Sequence, residues 1–288
     1  MLDLKLYDTA DENAWCPGCG NFSILAAIKQ AAAELEINPE QLMVVSGIGQ
    51  AAKTPHYIRA NGFNGLHGRA LPPAQGIKMV NKNLKVIITS GDGDAYGEGG
   101  NHFIHTIRRN MDITQIVHDN QIYGLTKGQG SPTTAFGQKT SMQFDGLIQQ
   151  PLNPLALAIA AGATFVARAF SGDKDFLVKI LEEAIEHKGY ALVDIMQPCV
   201  TFNKVNTFKW YKDRLYKLDE NYDPSDKTAA FEKALQFGDE GIPEGIIYRE
   251  IGKPAFEELH PVLSKTETLL QRKWDVKDAE KFIDEFDY

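Results

Sequence analysis

The sequence has few cysteines, no excess of positive charge and no long apolar runs, and each shortage excludes a class of protein. Its 288 residues include three cysteines, an odd number that argues against a disulfide-built scaffold. The formal net charge of −8 argues against a nucleic-acid-binding surface. No apolar run reaches the roughly 18 residues that cross a membrane. The first residues also lack the basic and apolar regions of a secretory signal. We therefore expect a cytoplasmic protein that binds neither nucleic acid nor membrane.

The order of apolar runs along the chain predicts its architecture. Helix-like segments separate the apolar runs, which lie at residues 43–45, 84–89, 113–117, 164–170 and 190–196. This alternation is typical of an α/β fold with a doubly wound, mostly parallel sheet. We expect residues 190–196 to be the last strand, and residues 1–200 to form one domain.

Residues 201–288 differ in character, because they are aromatic and charged, with weak helix or strand periodicity. We interpret them as a C-terminal extension or tail that packs on the domain or on a partner subunit. A small subdomain is an equally good interpretation.

Two oxygen-bearing side chains follow two of the predicted strands. Asp92 belongs to the GDGD sequence at 91–94, and Asn120 follows residues 113–117, with 27 residues between Asp92 and Asn120. Neighbouring strands of a parallel sheet end at one crevice. A carboxylate and an amide oxygen there suit Mg²⁺, which often shares its sites with phosphates, and glycine lets the backbone approach a phosphate closely. Each residue alone is more typical of a turn or a helix cap.

Five motifs occur in a recognisable order: WCPGCGN, GIGQAAK, LHGRALP, GDGD and DNQIYGLTKGQGSPT. GDG followed by Asn at this spacing is the signature of thiamine-diphosphate enzymes. The whole series, from about Trp15 to Cys199, resembles the β subunits of the 2-oxoacid:ferredoxin oxidoreductases. The resemblance implies a sheet of the thiamine-diphosphate-binding type. It also implies oxidative decarboxylation of a 2-oxo acid, with coenzyme A as acyl acceptor and ferredoxin as electron acceptor.

The resemblance further implies a heterodimer, in which the α subunit supplies the glutamate that activates the cofactor. Mg²⁺ would be held by Asp92, Asn120 and the backbone carbonyl of Ile122. Contacts with thiamine diphosphate are expected from Ile48, Gly49, His67, Gly91, Asp92, Gly93, Asp94, Asn120, Ile122, Leu125 and Thr126.

Four residues are implied to act on the substrate. Lys53 and Leu125 would recognise it, and we expect it to be 2-oxoglutarate, since lysine and arginine pair well with carboxylates. His67 and Arg69 would act in catalysis, and His67 could donate to an oxyanion or relay a proton near neutral pH.

The cysteines form a second candidate site. Cys16, Cys19 and Cys199 suit a [4Fe–4S] cluster, which usually has four cysteine ligands. The family places a fourth cysteine where this chain has Gln50. Three interpretations stay open: a cluster with Gln50 or solvent as fourth ligand, a labile or three-iron cluster, or a structural remnant without a cluster. A zinc site is a fourth and weaker interpretation, because no second CxxC sequence or histidine pair lies near these cysteines in the sequence.

Two other functions fit parts of the pattern. A non-redox thiamine-diphosphate-dependent decarboxylase or synthase subunit would share the GDG…Asn pair but would reduce no electron acceptor. An iron–sulfur electron-transfer subunit without catalysis of its own would not need that pair, and tightly bound thiamine diphosphate would distinguish it.

Overall fold

A computed structural model describes residues 1–273 and 276–283. In chain order its strands are β1 Leu42–Ser46, β2 Asn61–Asn64, β3 Lys85–Gly91, β4 Ile113–Asp119, β5 Ile122–Tyr123, β6 Gln129–Gly130, β7 Phe165–Phe170, β8 Tyr190–Met196, β9 Leu215–Lys217 and β10 Ile242–Arg249. Eight of these strands form one sheet in the order β2-β1-β3-β4-β8-β7-β10-β9, and β5 pairs with β6.

Helices cover both faces of the sheet. They are α1 Asn21–Glu34, α2 Leu71–Val80, α3 Gly100–Arg109, α4 Pro154–Ala161, α5 Lys174–Glu186, α6 Phe208–Lys212, α7 Lys227–Leu235, α8 Phe256–Leu259 and α9 Val276–Ile283. One apolar core lies under α1 and α5, and a second lies under α2, α3, α4 and α7. Across the described residues, no helix is both long and apolar enough to cross a bilayer.

The predicted α/β fold with a mostly parallel sheet is confirmed. Strands β2, β1, β3, β4, β8 and β7 run parallel to their neighbours, whereas β10 runs antiparallel to β7. The prediction that Tyr190–Met196 is the last strand is wrong, because β10 and β9 extend the sheet beyond β7. The sequence of β10, IPEGIIYR, hides its strand character, since Pro, Glu and Gly interrupt the apolar pattern. The domain boundary at residue 200 stays a prediction.

Four neighbouring parallel strands bring the candidate motifs to one edge of the sheet. In the sheet order, β1, β3, β4 and β8 are adjacent. Their registers pair Ser46 with Thr89, Gly91 with His118, and Asp119 with Met196, so the strands end nearly level. The chain segments that follow these strands therefore meet at this edge, as expected for a parallel sheet.

Candidate active site

A cavity opens at this edge of the sheet. The eleven residues predicted to contact the cofactor all line it: Ile48, Gly49, His67, Gly91, Asp92, Gly93, Asp94, Asn120, Ile122, Leu125 and Thr126. Gln50, Ala51, Tyr123 and Gly124 line it as well. The structure thus brings together the glycine-rich turn after β1, the GDGD sequence after β3 and the segment after β4.

Asp92 is the most deeply placed acid in this lining. It is 1% exposed and precedes a π-helical segment, Gly93–Glu98. Its Oδ2 accepts a hydrogen bond of 2.7 Å from the Thr133 hydroxyl. Burial raises the pKa of Asp92 to about 6, while hydrogen bonds from Ser131 and Thr133 oppose the shift. A nearby cation would therefore stabilise the carboxylate form.

Asn120 is the second predicted metal ligand in the lining. Its Oδ1 accepts a 3.0 Å hydrogen bond from the backbone N–H of Ile122, which fixes the orientation of the amide. An amide oxygen has two lone pairs, so one stays available to a cation. The backbone carbonyl of Asn120 accepts from Asn203 Nδ2 at 3.1 Å, which ties this turn to the segment after Cys199.

The Asp94 carboxylate organises two of the turns that line the cavity. Its Oδ1 accepts hydrogen bonds from Ile48 N at 3.0 Å and from Gly68 N at 2.7 Å, and lies 2.6 Å from His67 Nδ1. A side chain at Gly47 would collide with it, since a Cβ there would lie 2.0 Å from Asp94 Oδ2. The sequence predicted a cofactor contact for Asp94, but it did not predict that the Asp94 side chain holds these turns.

His67 lies between two carboxylates. Its Nδ1 faces Asp94, and its Nε2 lies 3.4 Å from Glu98 Oε2. The Tyr123 hydroxyl donates to the same Glu98 oxygen at 3.1 Å. Tyr123 also packs on Gly93, where a Cβ would lie 2.2 Å from the ring. Both ring nitrogens of His67 therefore face a carboxylate.

Two predicted substrate residues lie outside the cavity lining. Lys53 belongs to a short 3₁₀ helix, Ala51–His56, and is half-buried. Its backbone N–H donates to the Gln50 carbonyl at 3.3 Å, but its ammonium makes no hydrogen bond or ion pair with any residue in the described ranges. Arg69 is exposed, and its Nη1 donates to the backbone carbonyl of Glu98 at 3.2 Å. Neither residue is part of this lining, and Lys53 lies two residues after Ala51, which is part of it.

The three cysteines line a second, smaller cavity, together with Trp15, Gln50 and Gln197. Trp15 links the loop that carries Cys16 and Cys19 to the turn after β1, because its Nε1 donates a hydrogen bond to the Gln50 backbone carbonyl at 2.8 Å. Gln197 Nε2 donates to Cys19 Sγ at 3.3 Å, and the N–H of Phe202 donates to Cys199 Sγ at 3.5 Å. Burial raises the pKa of the Cys19 thiol, and the other two cysteines add to the shift.

Two amide oxygens at this second cavity have no hydrogen-bond partner among the described residues. They are the buried Oε1 atoms of Gln50 and Gln197. Such an orphaned buried acceptor is costly unless a ligand or water satisfies it. Within residues 1–273 and 276–283, however, no group of three or more His, Cys, Asp or Glu side chains is already arranged as a metal site. The Mg²⁺ and iron–sulfur assignments therefore stay predictions.

The two cavities share a wall. Gln50, Asn120 and Gly124 line both of them. A group bound at the cysteines and a group bound over Asp92 would thus be separated by single side chains.

A layer of buried charge lies behind Asp92, and sequence reasoning missed it. Burial raises the pKa of Asp194 to about 7 and also raises that of Asp119, with further repulsion among the acids. Arg168 is buried near them, and burial lowers the pKa of its guanidinium. Asp119, Asp194, Arg168 and Thr133 line a third cavity of ≈ 250 Å³. The only sequence signal was that Asp119 and Thr133 are the first and last residues of the motif DNQIYGLTKGQGSPT.

Comparison with known proteins identifies the family. The family model described as "Thiamine pyrophosphate enzyme, C-terminal TPP binding domain" matches residues 42–195. A second family model, for the C-terminal part of the pyruvate ferredoxin oxidoreductase β chain, matches residues 199–265. The β subunit of 2-oxoacid:ferredoxin oxidoreductase 1 from Aeropyrum pernix is 49% identical over 263 residues, which cover 88% of this chain and 82% of the relative. The chain belongs to the β subunits of the 2-oxoacid:ferredoxin oxidoreductases.

Other relatives agree with this assignment for the β subunit. The 2-oxoglutarate synthase subunit KorB of Methanocaldococcus jannaschii is 37% identical over 256 residues, which cover 87% of this chain and 93% of the relative. A solved structure of 2-oxoglutarate:ferredoxin oxidoreductase from Magnetococcus marinus, with 2-oxoglutarate, coenzyme A and succinyl-CoA bound, aligns with a TM-score of 0.90. It is 35% identical, and the alignment covers 98% of this chain and 96% of that one.

The family settles three of the expectations drawn from the sequence. This β subunit has a thiamine-diphosphate-binding domain, it is part of an oxidoreductase that acts on 2-oxo acids, and it works with an α subunit. The alternative of a non-redox decarboxylase or synthase is not favoured, because the relatives are ferredoxin oxidoreductase and 2-oxoglutarate synthase subunits.

Proposed function

We propose that this β subunit supports the coenzyme A-dependent oxidative decarboxylation of 2-oxoglutarate, with electrons delivered to ferredoxin. The observation that carries the proposal is the wall shared by two cavities. One has the oxygen ligands and glycine turns that suit a metal-bound diphosphate, and the other has three cysteines. When bound, thiamine diphosphate supplies the nucleophile and electron sink for decarboxylation. A redox centre next to it would provide the outlet for electrons.

The residues present fit Mg²⁺ with a diphosphate. A buried carboxylate, an amide oxygen and a backbone carbonyl form a hard, all-oxygen donor set, from Asp92, Asn120 and Ile122. Gly93 also lines the cavity, and the Tyr123 ring packs so closely on it that no Cβ fits there. Thr126 lies on the same lining, and its hydroxyl, which donates to Gln129 Oε1 at 2.5 Å, would turn towards a diphosphate oxygen.

The residues around the cysteines fit an iron–sulfur cluster. The donors from Gln197 and Phe202 point at two of the sulfurs, and hydrogen bonds of this kind tune clusters. Cys16, Cys19 and Cys199 would supply three thiolates. The buried and unpartnered Oε1 of Gln50 makes it the candidate for the fourth position. A cluster there would carry single electrons towards ferredoxin.

The preference for 2-oxoglutarate rests on Lys53. It is a half-buried cation without a partner among the described residues, beside the turn that lines the cavity. A second carboxylate on the substrate would give it that partner. Two relatives named for 2-oxoglutarate support this choice.

The α subunit would close the cavity. Two residues of this chain that line the cavity, Ile48 and Leu125, are exposed apolar side chains. Leu66, next to His67 in the chain, is 76% exposed. Within the described part of the chain, the lining includes no glutamate. The α subunit would cover these apolar groups and contribute the glutamate that activates the cofactor. Coenzyme A would then bind at the complete αβ site.

The test is anaerobic purification of the αβ complex, followed by assays of thiamine diphosphate, iron and acid-labile sulfide. We expect all three in the wild-type complex. Asp92→Ala should retain iron and the folded state but lose thiamine diphosphate. A cofactor-free wild-type complex, or normal cofactor content in Asp92→Ala, would contradict the proposed site.

A further inference from the structure

We propose that Thr133 is a positioning residue for the metal site. Its hydroxyl holds the Asp92 carboxylate, and the strand end before Asn120, in the arrangement that binds the cation. This inference rests on the proposed role of Asp92 and Asn120 as Mg²⁺ ligands. Thr133 lies well beyond the GDGD sequence, in the part of the chain that follows β4. It is not itself a ligand.

The Thr133 hydroxyl bridges the ends of both ligand-bearing strands. Its Oγ1 lies 2.7 Å from Asp92 Oδ2, just after β3, and 2.9 Å from Asp119 Oδ1, the last residue of β4. Asp119 Oδ1 also accepts the N–H of Gln121 at 3.1 Å, across Asn120. One hydroxyl therefore fixes the spacing between Asp92 and the turn that presents Asn120.

Thr133 is itself held firmly by its neighbours. The Thr134 hydroxyl accepts from Ser131 N at 2.7 Å and donates to the Gln121 carbonyl at 2.6 Å. The N–H of Leu152 donates to the Pro132 carbonyl at 2.8 Å. Thr133 is only 5% exposed. The hydroxyl is therefore preorganised rather than recruited when the cation binds.

Removal of the hydroxyl would break the contact between the two strand ends. Asp92 Oδ2 would lose the Thr133 donor in a buried setting, while Asp119 Oδ1 would keep the N–H of Gln121. The Asp92 carboxylate would then be free to turn, which moves its other oxygen from the position that a cation needs. Groups that orient metal ligands typically change metal affinity by roughly 10–100-fold when they are mutated.

The test measures the Mg²⁺ concentration that half-saturates thiamine-diphosphate binding to the αβ complex, after the cofactor and metal have been removed. Thr133→Val keeps the shape and deletes the hydroxyl, Thr133→Ala deletes it without a bulky replacement, and Thr133→Ser keeps it. Thr114→Val is the matched control, because Thr114 is buried at the start of β4 and its hydroxyl donates only to the Ala184 carbonyl. Circular dichroism confirms that each variant is folded.

We expect the half-saturating Mg²⁺ concentration to rise roughly 10–100-fold in Thr133→Val and Thr133→Ala. Thr133→Ser and Thr114→Val should stay within about threefold of the wild type. Wild-type behaviour of both hydroxyl-free variants would overturn the inference, and so would a Thr133→Ser variant as impaired as Thr133→Val. If wild-type binding needs no divalent cation, the proposed metal site itself fails. That result is distinguishable, because it appears before any variant is compared.

Discussion

Asp94→Asn is the sharpest perturbation of the cavity, because a single carboxylate oxygen holds the turns on either side. Asp94 Oδ1 accepts from Ile48 N and Gly68 N and contacts His67 Nδ1, at 3.0, 2.7 and 2.6 Å. Asparagine keeps a carbonyl oxygen of similar size but has no charge. Its amide group would also place hydrogens where Oδ2 packs against Gly47.

The expected loss follows from the three contacts. A hydrogen bond to a charged group contributes about 1.5–3 kcal/mol and a neutral one about 0.5–1.5 kcal/mol, so each contact loses about 1 kcal/mol. Since all three contacts share one oxygen and are not additive, the free energy of unfolding should fall by about 2–3 kcal/mol. Thiamine-diphosphate affinity should fall too, because both turns line the cofactor cavity.

Urea unfolding and thiamine-diphosphate titration of the αβ complex would measure these losses. Asp239→Asn is the control, since Asp239 is an exposed acid that pairs with Arg214 at 2.7 Å. Exposed pairs contribute at most about 1 kcal/mol. If Asp94→Asn loses no more stability than Asp239→Asn and binds the cofactor normally, the assigned role of Asp94 is refuted.

Three further predictions concern other residues. Lys53→Ala should lower kcat/KM for 2-oxoglutarate about tenfold to a hundredfold more than for pyruvate, and equal losses would exclude a contact with the distal carboxylate. Gln50→Cys should slow iron loss in air and lower the reduction potential, because a fourth thiolate adds negative charge; unchanged iron retention and potential would contradict a ligand position for Gln50. Burial raises the pKa of Glu244 from its ordinary 4.5 to about 7, so the folded state binds the proton more tightly and stability falls as the pH rises between these values. Glu244→Gln should therefore raise the free energy of unfolding at pH 8, by at most about 3 kcal/mol, and leave it unchanged at pH 4; equal effects at both pH values in urea unfolding would contradict this.

The sequence predicted the cavity well because the relevant residues directly follow apolar runs. Asp92 and Asn120 each stand at a strand end, and parallel strands place such residues together. Cys199 follows β8 in the same way. It therefore lines a neighbouring cavity together with Cys16 and Cys19.

What the sequence did not predict depends on contacts between distant parts of the chain. Nothing local marks Thr133 as the partner of Asp92, and Asp94 gives no sign that it holds the turn at Gly68. Strand β10 is concealed by the proline, glutamate and glycine within it, and it forms because β7 offers an unpaired edge. Lys53 and Arg69 lie outside the cavity lining, which no short motif could reveal.

We propose that the site over Asp92 feeds electrons to a centre at the three cysteines. The most direct measurement is electron paramagnetic resonance of the anaerobic αβ complex, after 2-oxoglutarate and coenzyme A are added without an electron acceptor. The wild type should develop the signal of a reduced iron–sulfur cluster. Asp92→Ala should develop it only with a chemical reductant. A wild-type complex that contains iron but stays silent with substrate, or that contains no iron at all, would contradict the claim.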